Sequence, residues 1–224
     1  MEQLFSMALI GFLLGMRHAT DPDHVVAVTT IVSRERGIYR ASGIGILWGL
    51  GHTVTIMLVG GAILLFNVVI PPRIGLTMDF TVAVMLVLLG VLSLGRIARA
   101  SAPAAKVDGW LVVRHPSLRP LAIGVVHGLA GSAAVALLVL ATISDPIWGV
   151  AYLALFGIGT IAGMMLITTA ISVPFAYTAQ RLVGFNRSLG VASAMSSLVF
   201  GTFLVYQIAF VNGLFTAYPH WTPR

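Results

Sequence analysis

Cysteine is absent from all 224 residues. That absence excludes disulfides, thiolate metal sites and membrane thiol relays together. Charge is nearly as scarce, at 9% of residues, where a soluble domain carries about a quarter. Hydrophobic residues reach 58% and the mean hydropathy is +0.99. The expectation is an all-α integral membrane protein, one membrane domain over 1–224, with most of its mass in the lipid bilayer. The seven Asp and Glu are outnumbered by thirteen Lys and Arg, giving a formal net charge of +6. Those cations lie between apolar runs rather than on one patch, so they are no nucleic-acid footprint. A cleavable leader is not expected, because Glu2 stands where positive charge belongs and no small-residue cleavage site follows. Two hydrolase signatures are also missing. Without a Gly-x-Ser-x-Gly elbow, and with Ser132 and His127 five residues apart, a serine hydrolase lacks its geometry. Without His-Glu-x-x-His, an intramembrane metalloprotease lacks its general base. The chain is not expected to be an enzyme.

Six segments are long enough to span a bilayer at about 20 residues each, near 3–32, 42–66, 77–97, 120–142, 147–172 and 188–212. The first is too long for one straight helix and contains Asp21-Pro22, a helix start signal. A break around residues 19–21 is expected, leaving two half-helices. The loops carry an orientation. Arg34, Arg36 and Arg40, then Arg96, Arg99, Lys106, Arg114 and Arg119, then Arg181 and Arg187 all fall on one side, opposed only by Arg73 and Arg224. By the positive-inside rule that side is cytoplasmic, so both termini face away from the cytoplasm of a multi-pass inner (cell) membrane protein.

An internal repeat points the same way. Gly15-x-x-His18 matches Gly124-x-x-His127, 109 residues on, and Gly43-Ile44-Gly45-x-x-x-Gly49 matches Gly157-Ile158-Gly159-x-x-x-Gly163, 114 on. Gly90 pairs with Gly201. Three spans per copy is an odd number, so the second copy enters the membrane upside down. The expected fold is six transmembrane helices as two inverted three-helix repeats, 1–97 and 120–224, joined by a basic cytoplasmic loop at 98–119. Such repeats hold their substrate near the midplane, often on broken helices.

The chemistry concentrates in Arg17-His18-Ala19-Thr20-Asp21-Pro22-Asp23-His24. Charged groups at bilayer depth cost about 2.5–3.5 kcal/mol each on insertion scales, so they pair or hold something. Imidazole and carboxylate without thiolate suit a divalent ion such as Ni, Co, Zn or Mn. On an unbroken helix these side chains would scatter; a break at Asp21-Pro22 lets both arms turn inward. His52, near the middle of the second span, makes a fourth metal ligand beside His18, Asp23 and His24. Asp21 is expected to cap the second half-helix and set ligand orientation. Arg17, His127 and Thr168 are candidates for a supporting or pathway role. For His127, a ligand, a proton acceptor and a hydrogen-bonding spacer all stay open. Methionines at helical spacing read as core filling. Trp110, Trp148, Tyr218 and Trp221 fit interfacial belts, while Trp48 sits deeper.

Arg17-His18-Ala19-x-Asp21-x-Asp23-His24 resembles the Arg-His-Ala-x-Asp-Ala-Asp-His signature of the nickel/cobalt permease family, the NiCoT proteins of the NicO group, with Pro22 in place of Ala. Gly51-His52-Thr53-Val54 resembles that family's second signature. The resemblance implies that His18, Asp23, His24 and His52 belong to the recognition path of a Ni(II) or Co(II) importer. The later signatures differ: Ala130 and Ala134 stand where typical members carry Asp and Glu, and Thr168 stands where they carry Asp. In this the chain is more similar to the short urease-accessory, UreH-like branch.

The expectation is transport of a divalent transition-metal cation, Ni(II) or Co(II), as substrate rather than resident cofactor. The alternatives are nickel/cobalt efflux, and a non-transporting accessory protein that supplies nickel to urease or hydrogenase maturation partners.

Overall fold

The computed structural model describes residues 2–33, 35, 37–66, 70–99, 118–129, 143 and 145–221. Among these there are seven α-helices and no strand: α1 (Glu2–His18), α2 (Pro22–Val32), α3 (Ile38–Phe66), α4 (Pro72–Arg99), α5 (Arg119–His127), α6 (Pro146–Arg181) and α7 (Val183–Tyr206). A π-helical turn, Gln207–Val211, continues α7. Four helical stretches are long and apolar enough to cross a membrane: Ile38–Phe66, Pro72–Arg99, Pro146–Thr178 and Gly184–Val211. The expected first span is divided between α1 and α2. Of the expected 120–142 span only α5 and its C-terminal turn fall within the described residues, and the 98–119 loop lies almost wholly outside them.

The interruption between α1 and α2 follows from Pro22. Its ring conflicts with the carbonyl four residues back, at His18, and it offers no amide proton. It also drives the preceding residue out of the helical region, and Asp21 sits at φ −58°, ψ 144°. The freed carbonyls are taken up locally. Thr20 N and Oγ1 donate to the Arg17 carbonyl at 2.8 and 2.5 Å, and Asp21 N donates to His18 O at 3.1 Å. The last turn of α1 is thereby tightened and few backbone groups are left open.

A second Asp-Pro pair also starts a helix. Asp145 caps α6, accepting from Ile147 N at 2.8 Å. The helix then runs through Pro174 to Arg181, well past the boundary expected at residue 172. Ser and Thr hydroxyls bond backbone carbonyls on either side of the proline: Ser172 donates to Thr169 O at 2.7 Å and Thr178 to Pro174 O at 2.7 Å.

Close glycine contacts order the helices. α3 and α6 are antiparallel, with Gly157 on Thr53, Gly49 on Ile161, and Gly45 on Met164 and Thr168. α1 runs parallel to α6: Gly15 abuts Phe156 and Thr160, Gly159 abuts Phe12, and Gly163 abuts Met16 and Ala19. α5 runs parallel to α3: Gly124 abuts Trp48, Gly51 abuts Leu121, and Gly128 abuts His52 and Thr55. α4 and α7 are antiparallel, Gly90 on Ala194 and Leu198, Gly201 on Leu86 and Val87. Small residues let backbones approach where lipid removes the hydrophobic driving force between helices. Ser and Thr hydroxyls add ties between helices, Thr55 Oγ1 to Val125 O at 2.9 Å and Ser197 Oγ to Leu86 O at 2.8 Å.

These directions put the N-terminal ends of α1 and α6 on one side and those of α3 and α5 on the other. The shorter α2 is held against α7 by Thr30 Oγ1, which donates to Ser193 O at 3.2 Å. Its buried face, Ala27, Val28 and Val32, joins Ala41, Trp48, Leu86 and Met164 in the principal core. Beyond the π turn, Gly213 takes φ 77°. The chain then folds back so that Trp221 covers Gly75 and its Nε1 donates to Asp79 Oδ2 at 3.0 Å.

A methyl group on Gly159 would meet the Phe12 backbone, whereas one on Gly61 would meet nothing within 4 Å. Gly159→Ala should therefore destabilise the detergent-solubilised protein by about 1–3 kcal/mol through overpacking. Gly61→Ala should leave stability unchanged or raise it by up to about 1 kcal/mol from helix propensity. Thermal unfolding of the two variants beside the parent checks both.

Candidate metal centre

The two arms of the interrupted segment converge on the side of α3. His18, the last residue of α1, is buried, as are His24 in the first turn of α2, His52 on α3 and His127 at the end of α5. Their rings form one group: His18 lies 4.8 Å from His24 and 4.9 Å from His52, while His24 lies 5.0 Å from His52 and 4.3 Å from His127, centroid to centroid. His52 is the midpoint of the 29-residue α3, about 21 Å from either helix end at 1.5 Å per residue.

Two carboxylates hold the imidazoles in place. His18 Nδ1 donates to Asp21 Oδ2 at 2.9 Å, and His127 Nε2 donates to Asp23 Oδ2 at 2.9 Å. His24 Nδ1 stands 3.4 Å from the other oxygen of Asp23. With its Nδ1 committed to Asp21, His18 turns Nε2 toward His52 Nε2, 2.8 Å away. A carboxylate behind an imidazole fixes its tautomer and orientation, the usual partner of a metal-binding histidine. Among the described residues both ring nitrogens of His24, and Nδ1 of His52 and of His127, have no hydrogen-bond partner. Buried polar atoms are normally bonded, so this concentration of open nitrogen donors suits a ligand.

Two sets of three residues each bring their donor atoms within 4.8 Å of one another: His18, His24 and His52, and Asp23, His24 and His127. Nitrogen and carboxylate oxygen without sulfur suit a borderline divalent cation.

The four expected ligands, His18, Asp23, His24 and His52, are brought together, with His127 beside them; the other supporting candidates are placed differently. Asp21 was expected to cap α2 with its side chain, but only its backbone does so, accepting from Val25 N at 3.0 Å, while the carboxylate is drawn to His18. Arg17 is not brought to the cluster. One residue before His18 on a helix, it projects about 100° away; it is exposed and makes no ion pair with Asp21 or Asp23. Thr168 is fully buried but lies against Gly45, seven residues and about two turns along α3 from His52.

Two aromatic walls escaped sequence reasoning. Trp48 is fully buried with its ring 5.5 Å from His127 and 6.0 Å from His24, and Phe156 lies 5.5 Å from His18. Their signal is present in the chain: Trp48-Gly49-Leu50-Gly51 and Phe156-Gly157-Ile158-Gly159 share an aromatic before Gly-x-Gly.

Residues 4–99 match the family model NicO, described as high-affinity nickel-transport protein. Over 219 residues the chain is 35% identical to urease accessory protein UreH of Bacillus sp. (strain TB-90), covering 95% of this chain and 96% of that protein. The chain belongs to the NicO family, in its short UreH-like branch. Membership places it with transport and accessory proteins and not with enzymes. No solved structure matches it. Of the NicO chain's clustered residues, His18, Asp23, His24 and His52 fall inside the matched region and His127 falls outside it.

Removing the Trp48 wall takes away the largest fully buried side chain among the described residues. Trp48→Ala should lower stability by about 3–5 kcal/mol, and Trp148→Ala, at an exposed position, by far less; thermal melts in detergent compare them.

Proposed function

We propose that the protein is a permease for a divalent transition-metal cation, Ni(II) first and Co(II) second, and that it works as an importer. The carrying observation is the convergence of four buried imidazoles and Asp23 halfway along a helix long enough to cross a membrane. Family membership adds weight through the NicO description. In this reading His18, Asp23, His24 and His52 replace part of the ion's water shell, and Asp21 orients His18 from behind.

The reading includes six spans in two inverted repeats, 1–97 and 120–224, with both termini outside the cytoplasm of the cell membrane. Reciprocal contacts support it. Gly15 on Phe156 has its counterpart in Gly124 on Trp48, Gly159 on Phe12 in Gly51 on Leu121, and Gly90 on Leu198 in Gly201 on Val87. Such pairs arise when an approximate two-fold axis exchanges the halves. They favour an offset of 108 residues between α3 and α6, pairing Gly49 and Gly51 with Gly157 and Gly159, over the 114 of the sequence match. The helix directions also bring Arg40, Arg119 and Arg181 to a common side, in keeping with a basic cytoplasmic face.

A second reading is an accessory role in delivering nickel to a urease or hydrogenase assembly, favoured by the description of the 35% identical relative as a urease accessory protein. Sealed vesicles separate the two. A permease should load Ni(II) into vesicles, and His18→Ala and His24→Ala should abolish loading while inserting normally. Unchanged loading in those variants sinks the site assignment, no loading by the parent leaves the accessory role, and raised cellular nickel in the variants reverses the direction to efflux. Because protons compete with metal for imidazole, loading by the parent should weaken as pH falls below about 6. Asp21→Asn should keep the fold and lower Ni(II) affinity about 10–100-fold, the usual effect of losing a carboxylate behind a histidine ligand; metal titration of the solubilised protein measures this.

A further inference from the structure

His24 belongs to both three-residue sets, with His18 and His52 on one side and with Asp23 and His127 on the other. It is 1% exposed, and neither of its ring nitrogens has a hydrogen-bond partner among the described residues. An imidazole has two nitrogen donors on different edges, so one ring is able to face two coordination positions. We propose that the centre contains two adjacent positions for a divalent cation, that His24 is the ligand common to both, and that His127 is a ligand of the second. This inference rests on the permease reading above and extends it from one binding site to a two-step handover.

The two positions differ in chemistry. The first is made of three imidazoles and is backed by Asp21, whose side chain is 34% exposed. The second includes the carboxylate of Asp23, 15% exposed, and is enclosed by α5 and Trp48. An ion arriving beside the more open Asp21 meets a neutral ligand set and moves on to a charged one. Two dications this close would repel each other strongly where water is excluded, so a single ion steps between sets. His24 offers a nitrogen at each position, its ring proton passing to the nitrogen that the ion leaves, so the ion changes ligands without regaining its full water shell. The step joins the interrupted first segment, which supplies His18, Asp23 and His24, to α5, which supplies His127.

A purely structural His127 would need only to donate to Asp23 through Nε2. His127→Gln preserves an N–H donor there and removes the imidazole. The test uses the full-length protein in detergent, with Co(II) as probe, read by equilibrium dialysis and visible absorption, and Co(II) loading of proteoliposomes. Wild type should bind one Co(II). His127→Gln should still bind Co(II), through the first set, with an altered visible spectrum and loading reduced at least about tenfold. His52→Ala should keep binding through the second set with a different spectrum. His24→Ala, which breaks both sets, should lose binding altogether. If His127→Gln matches wild type in spectrum, affinity and loading, His127 is a spacer and the proposal is overturned. Equal and complete loss of binding in His52→Ala and His24→Ala also overturns it, since that is the behaviour of a single site. If wild type binds no Co(II), the permease reading itself fails and takes this inference with it.

Discussion

At Pro22, which lacks an amide proton and whose ring conflicts with the carbonyl at His18, the helix is broken, whereas at Pro174 it is carried through. The geometry of the centre depends on that interruption. α1 ends at His18 and α2 begins afresh at Pro22, leaving three residues to redirect the chain. Side chains that an unbroken helix would spread around its circumference are brought to one side instead. His18 and His24, six residues apart, have ring centroids 4.8 Å apart.

The redirected segment is held by close backbone contact rather than by bulky apolar packing. Between helices in lipid, burying Leu gains little, because lipid tails are as apolar as Leu; shape and polar ties decide instead. Gly15 of α1, Gly51 of α3, Gly124 of α5 and Gly159 of α6 meet carbonyls of facing helices, so helix spacing there is set by backbone thickness. That closeness also lets short side chains meet across the interface. His127 reaches Asp23, and His18 reaches His52, only because Gly124 and Gly128 seat α5 on α3 while Gly15 seats α1 on α6. The glycine contacts and the polar cluster are one arrangement.

Asp-Pro occurs twice with opposite outcomes. Asp145 has nothing better than the backbone amide of Ile147 and caps α6. Asp21 has the His18 imidazole 2.9 Å away and gives up the cap. Both are hydrogen bonds to a carboxylate, and at Asp21 the imidazole three residues back takes the oxygen that a cap would use. Sequence rules for caps assume that no competing donor stands nearby, and at Asp21 one does.

The sequence by itself determined the helical, membrane-type character of the chain, the place of the interruption and the identity of four clustered residues, because hydropathy, proline geometry and ligand chemistry are local properties. His18, Asp23, His24 and His52 were legible for that reason. Asp21 serving His18 and Arg17 turning outward are also local, set by the turn at residues 18–21; tertiary structure alone decided that His127 bonds Asp23 and that Trp48 and Phe156 wall the imidazoles. These last depend on which helices touch and at what height, and glycine spacing in one chain is compatible with more than one register. Only the facing backbones, meeting at Gly51 and Leu121 or at Gly159 and Phe12, select among them.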